Sequence, residues 1–219
     1  MPTAAIIGYG PGVGHEVAKC FGLEGLNVAL FSRNPAKYEE KMQELKSHKI
    51  NSQSWTMNAA DEESIEQGLT AAVDTFGPLN VLVYNAVAFR MATPTKVTPE
   101  ELLEDFRANV AGALAATRRF LKLSEGQKDR TILLTGGGWA LYPDPVVSST
   151  AIGKAGLRHL GLMLHEELKP MGVKVSMVTI LGSVASGTPF DPAYIAQEYL
   201  KLYRTPMGTF PAEVQFTGK

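Results

Sequence analysis

The feature that most constrains this chain is an alternation. Apolar runs ending in glycine or other turn residues are each followed by a segment of helical period, once every roughly 25–30 residues. Buried-type runs lie at 3–8, 27–31, 79–83, 131–135 and 173–180, with weaker ones at 51–57 and 213–216. Helical patterns occupy 12–23, 35–46, 61–76, 99–123, 148–169 and 194–203. In the third of these, Ile65, Leu69, Ala72, Val73 and Phe76 fall on one face. Continuous apolar strands joined through helices bury both faces only in a parallel sheet covered on each side. The expected fold is therefore α/β, a doubly wound parallel sheet flanked by helices on both faces, in one domain over 1–219. No repeat or linker divides the chain.

Composition removes several other classes. Lys plus Arg is 21 and Asp plus Glu is 22, a net charge of −1, without the basic excess of a nucleic-acid binder. Hydrophobic residues at 45% exclude a disordered chain. No run of 18 apolar residues is present, so no membrane association is expected. Cys20 is the single cysteine, which excludes an internal disulfide and fits a reducing, cytoplasmic setting. No histidine or cysteine cluster has metal spacing, and no metal is expected. His159 and His165, six apart on one helix, read as structural or surface residues.

The first strand-to-helix turn reads Gly8-Tyr9-Gly10-Pro11-Gly12-Val13-Gly14. Four glycines in seven residues let a backbone approach a pyrophosphate, which then sits at the positive end of the following helix. The competing reading is a merely tight turn. Gly8, Gly10, Gly12, Val13 and Gly14 are the candidate phosphate contacts.

The G-x-x-x-G-x-G spacing, together with motifs further along the chain, resembles the short-chain dehydrogenase/reductase family. Gly8, Gly12 and Gly14 match its phosphate loop. Asn85-Ala86 matches its Asn-Asn-Ala-Gly segment, Asn109 its helix asparagine, and Lys154 the lysine of Tyr-x-x-x-Lys. Glu167-Leu168, Pro170, Gly172 and Val173-Lys174-Val175 match the lead into its sixth strand. The resemblance runs in order over essentially the whole chain and implies a Rossmann-like fold and a nicotinamide cofactor. It also implies a homodimer or homotetramer packed through the helices at 99–123 and 148–169. The Gly/Ser/Pro/Thr stretch 182–192, which follows a strand, is the mobile-loop candidate, and its loop 182–190 is expected to fold over the substrate within a substrate segment at about 182–204. That loop carries no charge, which suggests a small, uncharged substrate.

The end of the second strand discriminates between nucleotides. An acid there would bond the ribose hydroxyls and repel a 2′-phosphate. This chain has Phe31-Ser32-Arg33-Asn34, and no acid between Glu24 and Glu39. Arg33 is a planar, permanently charged phosphate donor, and Ser32 and Asn34 add neutral donors. The alternative is a solvated surface arginine. Within the resemblance, Arg33 implies NADP(H). Asn58, beside Ala59, stands where the family has an aspartate near the adenine. Tyr84 and Val87 replace the first Asn and the Gly of the Asn-Asn-Ala-Gly segment, and Val87 adds bulk beside the cofactor path.

The resemblance also implies a gap. In the family a tyrosine hydroxyl protonates the carbonyl, helped by the lysine, and an upstream serine holds the substrate oxygen. Four residues before Lys154 stands Thr150, and thirteen before that stands Gly137. A threonine hydroxyl is much less acidic than a phenol and reaches less far. Lys154 and Asn109 would remain, Thr150 could act only through a water, and Tyr142 is the best-placed replacement phenol, weighed against a rim aromatic. Ser148 and Ser149 read as caps of the long helix, and Trp139 as a pocket wall. The expectation is an NADP-dependent oxidoreductase with a non-standard proton donor, acting on a small carbonyl or enone. The alternatives are a non-catalytic NADP-binding sensor or assembly protein, and a structural member that no longer binds nucleotide.

Overall fold

The computed structural model describes residues 1–219. Seven strands form one parallel sheet in the order β3-β2-β1-β4-β5-β6-β7. They are β1 (Thr3–Ile7), β2 (Asn27–Ser32), β3 (Ser52–Thr56), β4 (Val81–Tyr84), β5 (Arg130–Gly137), β6 (Val173–Ile180) and β7 (Glu213–Phe216). The helices are α1 (Val13–Leu23), α2 (Glu39–Ser47), α3 (Glu62–Phe76), α4 (Pro99–Phe106), α5 (Gly112–Leu123), α6 (Ser148–Leu168) and α7 (Pro192–Arg204). Strands β1, β2 and β4 are buried along their whole length, which is why they read as continuous apolar runs. Edge strand β3 is half exposed, hence its weak signal.

Alternate residues of each strand feed two cores, as a period of two requires. Ala4 and Ile6 pack with Val17, Phe21, Leu45 and Leu202 from α1, α2 and α7. Ala5 and Ile7 pack with Leu69, Ala116, Phe120 and Leu157 from α3, α5 and α6. The strand order reverses between β1 and β4, and a crevice opens at that switch point.

The structure corrects two local expectations. The helical pattern over 99–123 is two helices joined by a π turn, Arg107–Ala111. The apolar period continues through it, so the sequence carries no sign of the break. Its partners are tertiary: Tyr84 Oη donates to Ala108 O at 2.5 Å, and the Asn109 amide pairs with the backbone of Ala88. The start of α6 is also different. Val147 is its N-cap and has no side-chain cap. Ser148 Oγ donates to Ala92 O at 2.8 Å and Ser149 Oγ to Asp105 Oδ2 at 2.7 Å. A bridge between Ala92 and Val147 docks the helix start onto the β4–α4 loop, so these hydroxyls face the loop and α4 instead of their own N–H groups.

Candidate functional site

At the switch point lies a cleft of about 910 Å³. Its walls are the glycine turn, the end of β2, the 3-10 turn Pro35–Tyr38, residues 57–60 and the loop 85–90. Of the expected cofactor residues, Gly8, Gly10, Ser32, Arg33, Asn34, Asn58, Ala59, Asn85 and Ala86 line it. Gly12 is the N-cap of α1, and Val13 and Gly14 open that helix. Its first N–H groups have no intrahelical acceptors and point the positive end of the helix outward.

Two glycines are there because nothing larger fits. Gly8 has φ +86°, and a Cβ on it would lie 2.3 Å from Ala86 N. A Cβ on Gly14 would lie 2.9 Å from Gly8 O. Asn85 Nδ2 donates to Gly8 O at 2.9 Å, which joins the β4 loop to the turn. At the end of β2 the Ser32 hydroxyl is buried without a hydrogen-bond partner. Arg33 and Lys37 are exposed cations with no carboxylate within bonding distance. Lys37 was not singled out from sequence, although its place in the run after Arg33 was visible there. Asn58 Oδ1 accepts from Ala60 N at 3.1 Å, which leaves its amide nitrogen free.

None of the expected catalytic residues lines this cleft, although Asn109 and Thr150 meet at Ala88 O on its wall. Lys154 is buried on α6, and its Nζ donates to Thr135 O at 2.8 Å with no carboxylate near it. Burial alone lowers its pKa to about 8. Thr135 Oγ1 shares a 2.7 Å hydrogen bond with the phenol of Tyr199, a fully buried residue on α7. A Cβ on Gly137 would lie 3.8 Å from Lys154 Cδ and Cε, an ordinary contact.

Thr150 is also fully buried, and both directions of its hydroxyl are used. It accepts from Arg90 N at 3.2 Å and donates to Ala88 O at 3.3 Å. Asn109 Oδ1 accepts from Ala88 N at 2.8 Å, and its Nδ2 donates to Ala88 O at 3.1 Å. Asn109 and Thr150 therefore grip the loop that walls the cleft. Arg90 completes the grip through Asp105, with Nε to Oδ2 at 2.8 Å and Nη2 to Oδ1 at 3.2 Å, and through Glu101 at 2.8 Å. Arg90 and Ser149 both hydrogen-bond the Asp105 carboxylate, which keeps its pKa below the usual range against its burial. Sequence reading missed Arg90, since nothing local links it to an acid fifteen residues on.

Tyr142 is 72% exposed on the turn before α6. Trp139 stands 6.0 Å from Phe89, which lines the cleft, so it belongs to the aromatic rim. The 182–190 loop does not line the cleft. Asp191 accepts from Gly187 N at 2.7 Å and caps α7 through Ala193 N at 2.9 Å, while Phe190 packs on Phe216. His159 is exposed, and buried His165 pairs its Nδ1 with Val175 O at 2.7 Å.

An all-parallel sheet in this order, with a glycine-walled crevice at its switch point, defines a protein of Rossmann-like fold. Residues 2–190 match the family model described as short chain dehydrogenase, and the chain belongs to that family. A short-chain dehydrogenase from Rhodopseudomonas palustris superposes with TM-score 0.89 at 25% identity, covering 100% of this chain and 99% of that one. A metagenomic short-chain oxidoreductase solved in complex with NADP gives TM-score 0.88 at 23% identity, over 98% of this chain and 96% of that one. The 2,3-dihydro-2,3-dihydroxybenzoate dehydrogenase of Bacillus subtilis is 25% identical over 177 residues, 80% of this chain and 67% of its own length. Family relatives are oxidoreductases. No helix is long and apolar enough to cross a membrane.

Proposed function

We propose that this chain binds NADP(H) across the crevice and acts as an oxidoreductase on a small, uncharged carbonyl or enone, with a proton donor other than the family's tyrosine. One observation carries the cofactor reading. An orphaned, buried Ser32 hydroxyl and two unpaired cations, Arg33 and Lys37, stand in the same cleft as a glycine turn that has no room for a Cβ at Gly8 or Gly14. These residues fit a dinucleotide with a 2′-phosphate: donors and charge at one end, bare backbone for the pyrophosphate in the middle. The N–H groups of Gly12, Val13 and Gly14 would face the pyrophosphate, and the free Asn58 amide the adenine. The cofactor, when bound, supplies hydride.

The chain's own part is to hold the loop 85–90 and to manage a proton. Thr150, Tyr142, Lys154 and Asn109 are the candidates near that proton. The Thr150 hydroxyl is spent on the loop, which favours its acting as a holder. Tyr142 is free but exposed, and can reach a substrate only by closing on it. Protonation from solvent after hydride transfer suits an enone better than a ketone, because the carbanion can wait for water. The segment at about 182–204 would complete the substrate side of a single domain.

The test is fluorescence titration with NADPH and NADH, followed by turnover on aldehydes, ketones and enones. NADPH should bind about ten- to a hundredfold more tightly. Equal affinity would overturn the NADP assignment. NADPH binding without turnover on any member of the panel would move the reading to a binding protein.

A further inference from the structure

Behind the glycine turn lies a polar cluster that neither nucleotide contact nor proton delivery uses. Tyr9, the second residue of the turn, is buried, and its hydroxyl lies 3.1 Å from His15 Nδ1. His15 on α1 is fully buried, and its Nε2 faces Glu44 Oε2 of α2 at 3.2 Å, off the hydrogen-bond axis. Glu44 also takes Lys19 Nζ of α1 at 2.7 Å and Lys41 Nζ of α2 at 2.9 Å. Glu16 is the remaining charged group near the ring. On its other side, the Tyr9 ring meets Tyr38 edge-on at 5.9 Å, and Tyr38 lines the cleft beside Lys37. One chain of contacts thus joins the floor of the turn to the segment that bears Arg33 and Lys37.

The ligand atoms of His15, Glu16 and Glu44 lie within 4.8 Å of one another, but two ammonium groups already hold the carboxylate a cation would need. The cluster works instead through one proton. The carboxylate beside Nε2 favours the tautomer that carries the imidazole proton there, in which Nδ1 accepts from the Tyr9 hydroxyl. A second proton on Nδ1 would force Tyr9 to accept, leaving its own hydrogen unpaired in the core. Burial lowers the pKa of His15, opposed in part by Glu44, so the neutral ring is the favoured form.

We propose that Tyr9, His15 and Glu44 form a positioning relay that sets the phosphate turn against the Arg33–Lys37 segment and couples NADP(H) affinity to the proton on His15. The inference rests on the NADP(H) reading above. Tyr9 lines the cleft as part of the turn, whereas His15 and Glu44 lie behind it; the cluster acts through the backbone of the turn and through Tyr38.

The test titrates the full chain with NADPH from about pH 4 to about pH 8, which spans the ordinary histidine value and the acid side to which burial moves His15. The proteins are the wild type, Tyr9→Phe and His15→Gln, with Tm measured on each. Wild-type affinity should fall on acidification more steeply than the titration of the 2′-phosphate alone gives, and His15→Gln should keep only that shallower slope. Tyr9→Phe should bind about five- to tenfold more weakly at neutral pH without a matching loss of Tm. Variants that fold and bind as the wild type does, with the same slope, overturn the relay alone. A wild type that does not bind NADPH overturns the cofactor reading and the relay with it. If His15→Gln does not fold, Tyr9→Phe decides, since it removes one hydroxyl and keeps the ring.

Discussion

Two residues set opposite costs and benefits. Arg33 is exposed and unpaired, so removing it should barely touch stability. Arg33→Ala is expected to erase most of the NADPH preference, with Lys37 retaining a fraction, because one charge-assisted contact contributes about 1.5–3 kcal/mol. Affinities for NADPH and NADH in the variant check this, and an unchanged ratio would remove Arg33 from the site. Lys154 is the reverse case. It is a buried ammonium without a carboxylate, and burial holds its pKa near 8 instead of 10.5. Lys154→Met should therefore raise the unfolding free energy by about 1–3 kcal/mol while weakening turnover. Urea unfolding at neutral pH reads the first part. A loss of stability would mean that the bond to Thr135 outweighs the burial cost.

At the scale of elements, the start of α6 serves the β4–α4 loop. Ser148, Ser149 and Thr150 bond Ala92, Asp105, Ala88 and Arg90, and the π turn adds Asn109. A tyrosine at position 150 would lose the loop contacts and overfill a closed site. Thr150→Tyr is expected to cost about 1–3 kcal/mol and to give little ketone reduction alone. Gly137→Ser meets only the Lys154 stem at 3.8 Å and should be tolerated. The double variant should gain more than the sum of the singles, since both hydroxyls would hold one oxygen. Thermal unfolding and ketone turnover of the three proteins test this. Ordinary ketone reduction by the unmodified chain would show that another donor is already in place, and Tyr142→Phe would be the next substitution to make.

On the scale of the whole molecule, several apolar residues stay exposed on α4, α5 and α6. Leu103 and Phe106 on α4, Leu114 on α5, and Ile152 and Met163 on α6 are exposed. Scattered exposed apolar residues are ordinary, but these lie on the helices through which the resemblance implies pairing. Light scattering at micromolar concentration should give a mass of at least twice the 23.6 kDa chain. A single-chain mass would refute the dimer.

The sequence by itself determined the sheet, its parallel sense and the glycine turn, because those depend on local period and on residues adjacent in the chain. The same holds for Arg33, whose position at a strand end is a matter of counting. Tertiary structure alone decided what the middle of the chain does. The break in the 99–123 helix is fixed by Tyr84 and Ala88, which lie far from it in sequence. The serines of α6 read as caps because capping is a local pattern, yet a loop some 56 residues away claimed the first of them. Tyr9 and His15 were visible, but their relay needs Glu44 from the next helix, and only the packing of α1 on α2 brings it there. Local chemistry can be read from neighbours in the chain. Hydroxyl and imidazole groups take whichever partner folding delivers, and that partner is remote.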